Sequence, residues 1–351
     1  MYQLGLEWLL HWISEEFEGA NQEISLRGYN NEFIQLPGDF AWKKPLSVDE
    51  IVNETCPVRR DLFISRKKKN ISAKIKKGES TWGRIVGTLT EEYYSQLLNH
   101  FSELYLSDKD INYRFIKDEV DTFSNTFFNN QPIKERLILI DNLPEEKKIN
   151  SSESIQNILK YSARNEVASF ALDWILQNSI QFSEYKAKQA WKILCRPSYV
   201  RLTDRVGVTT DKQETVINPN SEISGISPNA SPDLLLSQFK AIGDIKTGRA
   251  LRHSHLLTCT GYALARESQL GAAGNTNIGV IFFVETQSFL PTTARSYFFV
   301  ISDSLRREFI DKRDRVFNML SNEVEPDVNE VTRETYCVHC KYVTLCDGDR
   351  R

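Results

Sequence analysis

The chain has 351 residues, 40% of them hydrophobic and 26% charged, which is ordinary for a soluble globular protein that folds without disulfide staples. No apolar run approaches membrane-spanning length, so we expect a cytoplasmic protein with no membrane partner, in which clustered cysteines more often hold metal than form disulfides. The formal net charge of −3 does not by itself indicate a nucleic-acid-binding protein.

Three helices are predicted in the first part of the chain. Residues 1–19, MYQLGLEWLLHWISEEFEG, are apolar at helical spacing and lack the basic start of a signal peptide, so they predict an amphipathic helix. A second helix should run from about Ser47 into the RKKK stretch, because Ser47 and Glu50 have the spacing of a capping box. The third covers residues 81–101.

A basic segment extends from Arg59 to Lys77 and contains nine Lys or Arg against a single acid, Asp61. This density of positive charge can attract a polyanion through phosphate contacts and counterion release. A solvated lysine-rich loop is the alternative interpretation. The residues that we predict to contact DNA are Arg59, Arg60, Arg66 and Lys67.

The middle of the chain carries weaker signals. Residues 105–153 are polar, hard to assign and interpreted as an insertion. Residues 153–178 place apolar side chains at helical intervals, which predicts a helix packed on a core. Strand-like alternation then appears in residues 198–208, SYVRLTDRVGV.

Residues 231–248, SPDLLLSQFKAIGDIKTG, predict a β-hairpin. Side chains alternate along a strand, so Asp244 and Lys246 should share one face while Ile245 lies on the other. The hairpin would bring Asp233 beside Asp244, where two carboxylates could bind a hard divalent cation. Lys246 could then act on a water that attacks a phosphodiester. Because a D-x-K tripeptide is common, a solvated strand end is the alternative.

The remaining elements alternate between helices and strands. An apolar helix is predicted in residues 250–268, strands in 278–284 and 295–301, and an amphipathic helix in 304–320. This order indicates an α/β sheet flanked by helices.

A cysteine cluster follows near the C-terminus. Its C-x2-C-x5-C spacing is formed by Cys337, Cys340 and Cys346. A tetrahedral iron or zinc site needs a fourth ligand, for which Cys56 is the best candidate. A zinc site, with four cysteines or with His339 in place of one, is the alternative. Cys195 and Cys259 lie in helical apolar patterns, where a cysteine is more often a small buried hydrophobe.

The ordered set of motifs resembles the CRISPR-associated RecB-like nucleases that carry an iron–sulfur cluster, and it looks closest to their adaptation-module subgroup. The match covers most of the chain but not residues 105–153 and 209–229. The motifs are LRG at 26–28, CPVRRD at 56–61, PD at 232–233, GDIK at 243–246, GYALA at 261–265, the ISDxLR, RD and ML elements within 301–320, and the three terminal cysteines.

This resemblance implies an α/β fold with a restriction-endonuclease-like PD-(D/E)xK core sheet flanked by helices. It also implies a helical N-terminal part and a [4Fe-4S] region, held by Cys56 and the three terminal cysteines, that joins the two chain ends. The chain would divide into a helical region with the first cysteine and the basic segment (1–100), a variable insertion and helix (101–190), a nuclease core (191–325) and the cysteine cluster (326–351).

The resemblance also implies metal-dependent cleavage of single-stranded or splayed DNA. Mg²⁺ or Mn²⁺ would be held by Asp233, Asp244 and the carbonyl of Ile245, while Lys246 assists the water. The family role is to trim DNA fragments before CRISPR integrase proteins, the implied partners, insert them as spacers.

Two positions depart from the family pattern. Thr90 stands where the family has a histidine ligand, and Thr258 stands where it has a glutamine, so activity could depend on other ligands such as Glu91 or His255. Two alternatives to a spacer-processing nuclease therefore stay open. One is a catalytically reduced DNA-binding scaffold subunit of the integration complex, and the other is a RecB-like repair nuclease.

Overall fold

The computed structural model describes somewhat more than half of the chain. The described residues are 23–30, 35–36, 45–53, 56–67, 82–106, 113–164, 226–227, 232–236, 241–248, 250–286, 294–323 and 325–328, together with Cys337 and Cys346. The predicted helix at 1–19, the predicted strand at 198–208, the turn SQFK and the basic segment beyond residue 67 lie outside them.

The first half of the described chain is helical. Its helices are α1 (Val48–Val52), α2 (Arg60–Lys67), α3 (Trp82–Leu106), α4 (Tyr113–Asn129), α5 (Gln131–Asp141) and α6 (152–164). The second half alternates strands and helices. Its elements are β1 (Leu234–Leu236), β2 (Ala241–Gly248), α7 (His253–Leu270), β3 (Ile278–Glu285), β4 (Ala294–Val300) and α8 (Asp303–Ser321).

The four strands form one mixed sheet in the order β1-β2-β3-β4. The β1–β2 and β3–β4 pairs are antiparallel, whereas β2 and β3 are parallel. Parallel neighbours need a crossover connection, and α7 supplies it. The predicted α/β sheet flanked by helices is therefore confirmed.

Each face of the sheet is covered by a separate apolar core. The first core contains Ile245 and Phe282 and packs against α3 to α6. The second contains Ile242 and Phe283 and packs against α1, α2, α7 and α8. Because both faces are covered, β3 is an almost continuous run of buried apolar residues, IGVIFFV, and not an alternating one.

The prediction of one helix from Ser47 into the RKKK stretch is wrong in its extent. The capping box is present, since Ser47 Oγ accepts from the Glu50 amide at 3.1 Å and Glu50 Oε2 accepts from the Ser47 amide at 2.9 Å. However, α1 ends at Val52, and a new helix begins only after the turn at Cys56 and Pro57. Proline lacks an amide hydrogen and so cannot continue a helix.

The sequence predicts no helix or strand for residues 105–153, but α4 and α5 occupy most of this range. Aromatic contacts fix α4 on α3: the Tyr93 ring lies 5.2 Å from Phe127 and 5.5 Å from Phe128, centroid to centroid. Helix α3 runs through the predicted domain boundary at 100/101 and packs against β2. This part of the chain therefore contributes to the core on one face of the sheet.

A buried charge network fastens the LRG segment to α7 and α8. The Glu267 carboxylate accepts hydrogen bonds from Arg27 Nη1 at 2.9 Å and from Arg306 Nη1 and Nη2 at 2.8 and 3.0 Å. It also accepts from the Gly28 and Thr276 amides. A β-carbon at Gly28 would lie 1.9 Å from the Leu264 carbonyl oxygen, so only glycine fits there. The LRG and ISDxLR motifs thus have a structural role in this chain.

Candidate active site

The hairpin places two aspartates side by side at the end of the β1–β2 ladder. Leu234 pairs with Gly243, so Asp233, one residue earlier, lies beside Asp244. The Asp233 Oδ2 atom accepts a hydrogen bond from the Ile245 amide at 2.9 Å. The predicted meeting of these two carboxylates is confirmed.

The pKa values of the two carboxyl groups are shifted in opposite directions. Burial first, and then the neighbouring Asp244 charge, raise the pKa of Asp233 well above its usual range. Burial would also raise the pKa of Asp244, but the Lys246 ammonium and a hydrogen bond from Asp233 hold it below its ordinary value. Of the two, Asp233 is thus the carboxyl group that takes up a proton more readily, whereas Asp244 is the one that favours the ionised form.

Lys246 forms an ion pair with Oδ2 of Asp244. Their side chains share the sheet face covered by α7, as the strand alternation predicts, while Ile245 enters the core on the α3 side. Burial alone would lower the pKa of Lys246, but Asp244 and, after it, Asp49 raise it. The neighbouring carboxylates therefore favour the cationic form of Lys246.

Asp49 is a further acid at this site, and the sequence reasoning missed it. It lies in the first turn of α1, which packs on α7, and its charge raises the pKa of Lys246. Its side chain is exposed to solvent, although desolvation by the surrounding protein raises its pKa. The capping box locates Asp49 at a helix start, but only the packing of α1 on α7 places it on the side of the sheet that carries Lys246.

The two threonines that depart from the family pattern are both hydrogen-bonded. Thr90 is buried in α3, and its hydroxyl donates to the Val86 carbonyl at 2.8 Å. Helix α3 packs on the sheet face that carries Ile245, opposite to the face with the lysine. The Thr258 hydroxyl donates to the Ser254 carbonyl at 3.0 Å.

His255 and Glu91 were the suggested substitute ligands. His255 lies in the first turn of α7 near the carboxylates, and burial together with the Lys246 charge lowers its pKa to about 4. It is therefore neutral at physiological pH, and its Nδ1 atom accepts from the Arg252 amide at 3.3 Å. Glu91 is partly exposed on α3.

The predicted DNA-contacting arginines take part in contacts within the protein. Arg60 is buried and pairs with Glu325 at 2.8 Å, and Arg66 pairs with Glu50. Arg59 donates to the Ile51 carbonyl at 2.9 Å. Lys67 ends α2. Their contacts with DNA stay a prediction.

A cavity of about 510 Å³ opens between the turn before α2 and helix α8. Its lining includes Cys56 and three cationic residues, Arg59, Lys312 and Arg315. These cationic side chains give the cavity a lining that favours anions.

The cysteine cluster falls only partly within the described residues. Cys56 and Cys346 are buried and Cys337 is partly exposed, whereas Cys340 is outside the description. Among the described residues, no three His, Cys, Asp or Glu side chains are grouped closely enough to hold a metal ion. The cluster therefore stays a prediction.

The two remaining cysteines were predicted to be buried hydrophobes. Cys259 is completely buried in α7, where its Sγ lies 3.7 Å from the Val280 carbonyl oxygen, which confirms the prediction. Cys195 is outside the described residues.

Comparison with known proteins supports a CRISPR-associated nuclease. Residues 213–349 match the family described as CRISPR-associated exonuclease Csa1. This segment contains the whole sheet, α7, α8 and the terminal cysteines, so the resemblance noted in the sequence is confirmed there.

A relative with a similar sequence is the CRISPR-associated exonuclease Csa1 of Saccharolobus solfataricus (strain ATCC 35092 / DSM 1617 / JCM 11322 / P2). It is 33% identical over 101 residues, which are 28% of this chain and 33% of the relative. The chain thus matches about a third of that protein's length. No solved structure matches. None of the described helices is long and apolar enough to cross a membrane.

Proposed function

We propose that the chain is a metal-dependent deoxyribonuclease of the PD-(D/E)xK type. The observation that carries this proposal is the hairpin, which sets Asp233 against Asp244 with Lys246 on the same strand face. The hairpin lies inside the segment that matches an exonuclease family.

The residues at the hairpin fit a hard divalent cation. Asp233, Asp244 and the carbonyl of Ile245 offer only oxygen ligands, which suit Mg²⁺ or Mn²⁺. Oδ2 of Asp244 is buried against the Lys246 ammonium, and among the described residues it accepts no hydrogen bond of good geometry. A cation held there would supply electrostatic activation of the water and of the scissile phosphate.

The other steps of the proposed reaction depend on side chains of this protein. Lys246, held cationic by its acidic neighbours, stabilises negative charge on the phosphate oxygens and orients the attacking water. Asp233 must release its proton before both carboxylates can face a cation. The neutral His255 adds no charge at this edge of the sheet.

We propose single-stranded or splayed DNA as the substrate and spacer acquisition as the setting, with CRISPR integrase proteins as partners and the cytoplasm as the location. The support is the name of the matching family, together with the cationic cavity beside Cys56. A [4Fe-4S] cluster on Cys56, Cys337, Cys340 and Cys346 would tie the turn before α2 to the C-terminal segment.

A second candidate function is a catalytically reduced DNA-binding scaffold of the integration complex. Thr90 favours it, because a buried hydroxyl already bonded within its own helix is a poor replacement for a histidine ligand. The presence of Asp233, Asp244 and Lys246 together on the hairpin favours the nuclease.

An anaerobic nuclease assay with Mg²⁺ or Mn²⁺ on single-stranded and splayed DNA separates the two functions. Asp244→Ala should abolish cleavage and leave DNA binding largely intact, because it removes an ion ligand and not a phosphate contact. Lys246→Ala should reduce the rate by about 10²–10³-fold, as expected when a charge-stabilising group is lost. Wild-type protein that cuts no faster than Asp244→Ala would decide for the scaffold.

A further inference from the structure

We propose that His255 binds the phosphate backbone of the DNA substrate beside Lys246, where its Nε2–H group donates a hydrogen bond to a phosphate oxygen. This inference rests on the proposed function, because the phosphate is the one that the nuclease would hold at the hairpin. His255 would then be an uncharged substrate-binding residue, and neither a metal ligand nor a proton acceptor.

The first step places the His255 ring near Lys246. In the parallel β2–β3 ladder, Lys246 is paired with Phe283. Paired residues on neighbouring strands point to the same face of the sheet, and the strands lie about 4.8 Å apart. The His255 ring stacks on the Phe283 ring, with the centroids 6.4 Å apart and the planes at 28°. The imidazole therefore lies on the sheet face that carries Lys246, one strand to the side of it.

The second step identifies which ring nitrogen carries the hydrogen. The Nδ1 atom accepts a hydrogen bond from the backbone amide of Arg252 at 3.3 Å, so it presents a lone pair. When Nδ1 of a neutral imidazole is the acceptor, the hydrogen is on Nε2. Burial, and then the Lys246 charge, lower the pKa of His255 to about 4, which agrees with a neutral ring. His255 thus has one hydrogen-bond donor, Nε2–H.

The third step concerns the ligand of this donor. Within the described part of the chain, the bond at Nδ1 is the only hydrogen bond of the His255 side chain, which is partly exposed. No three His, Cys, Asp or Glu side chains of the described residues are close enough to hold a metal, so His255 does not complete a metal site with Asp233 and Asp244. Phosphate oxygens accept hydrogen bonds from cationic and from neutral donors. A DNA phosphate therefore fits a site where an ammonium and a neutral N–H lie on the same face.

Two substitutions separate the roles of the two ring nitrogens. In His255→Gln, the side-chain amide can bring an N–H donor to the position of Nε2, but no acceptor remains at Nδ1. In His255→Asn, the shorter side chain can place Oδ1 near the position of Nδ1 and accept from the Arg252 amide, but it has no donor at Nε2. A bond to phosphate predicts that His255→Gln binds DNA normally. A role in capping α7 alone predicts this of His255→Asn.

The measurement is the affinity for a short fluorescent single-stranded oligonucleotide, by anisotropy, on the full chain purified anaerobically in an Asp244→Ala background. His255→Asn should weaken binding about 10–100-fold, as expected for the loss of a hydrogen bond to a charged group. His255→Gln should stay within about threefold of the background. Because the lost donor is neutral, the dependence of affinity on salt should not change. His253→Asn is the matched control, since His253 lies in the same helical turn in an exposed pair with Glu308, and it should leave the affinity unchanged.

The outcomes separate this inference from the proposed function. If His255→Gln binds DNA as weakly as His255→Asn, or His255→Asn binds as tightly as the background, the phosphate bond is refuted while the nuclease stands. Calorimetry should find the same Mn²⁺ affinity in wild type and His255→Asn, and a clear loss would make His255 a metal ligand and overturn the inference. Wild type that neither binds nor cleaves single-stranded DNA would refute both. Circular dichroism should show that each variant is folded.

Discussion

Replacing Glu267 by Gln should destabilise the protein severely, because the change removes the charge that neutralises two arginines. Glu267 and Arg306 are both completely buried, and Arg27 is nearly so. Burial lowers the pKa of Arg306, but at neutral pH the guanidinium keeps its proton. The variant therefore retains two buried cations and loses the carboxylate that lies between them.

The magnitude follows from the contacts. The Glu267 carboxylate accepts five hydrogen bonds, and arginines donate three of them. Removing one partner of a buried ion pair costs about 3–5 kcal/mol. A domain is stable by only about 5–15 kcal/mol, so a large share of the total would be lost. With an unfolding entropy of about 2.1 cal/mol/K per residue, the midpoint of thermal unfolding of this 351-residue chain should fall by roughly 4–7 °C.

Thermal and urea unfolding followed by circular dichroism would measure the change. The matched control is Glu308→Gln, where the same substitution breaks an exposed pair with His253 and should cost less than about 1 kcal/mol. A Glu267→Gln protein whose unfolding free energy lies within 1 kcal/mol of wild type would refute the argument that this network holds the LRG segment in place.

Two further predictions concern the proton on Asp233 and the terminal cysteines. The raised pKa of Asp233 means that Mn²⁺ must displace its proton, so affinity should rise about tenfold per pH unit below that pKa and level off above it. Calorimetry in buffers of different ionisation heat should detect the released proton, and Asp233→Asn should show neither effect. Elemental analysis of anaerobically purified protein should find iron, and less of it in Cys56→Ser; one zinc per chain without iron would contradict the cluster.

The elements that sequence predicted well are those whose signal is local. The hairpin with Asp233 and Asp244, strands β3 and β4, and helices α3, α7 and α8 all follow from periodicity over eight to twenty residues. The break between α1 and α2 was missed because the capping box marks where a helix begins and says nothing about where it ends.

The parts of the site that sequence could not reveal depend on contacts between distant segments. Asp49 belongs to the site only because α1 packs on α7, about two hundred positions further along the chain. Arg60 and Arg66 were assigned to DNA from their charge, yet their partners Glu325 and Glu50 are visible only in the fold. Charge density predicts attraction to a polyanion but does not show which cations are already neutralised inside the protein.

The Glu267 network also bears on how the protein is made. Arg27 emerges from the ribosome 240 residues before its partner, and Arg306 follows later still. At a synthesis rate of about 5–20 residues per second, Glu267 is made roughly 12–48 s after the LRG segment. During that interval the face of α7 that it will cover does not yet exist. Docking of the N-terminal segment is therefore a late, long-range event, and chaperone depletion should harm this step before the local hairpin.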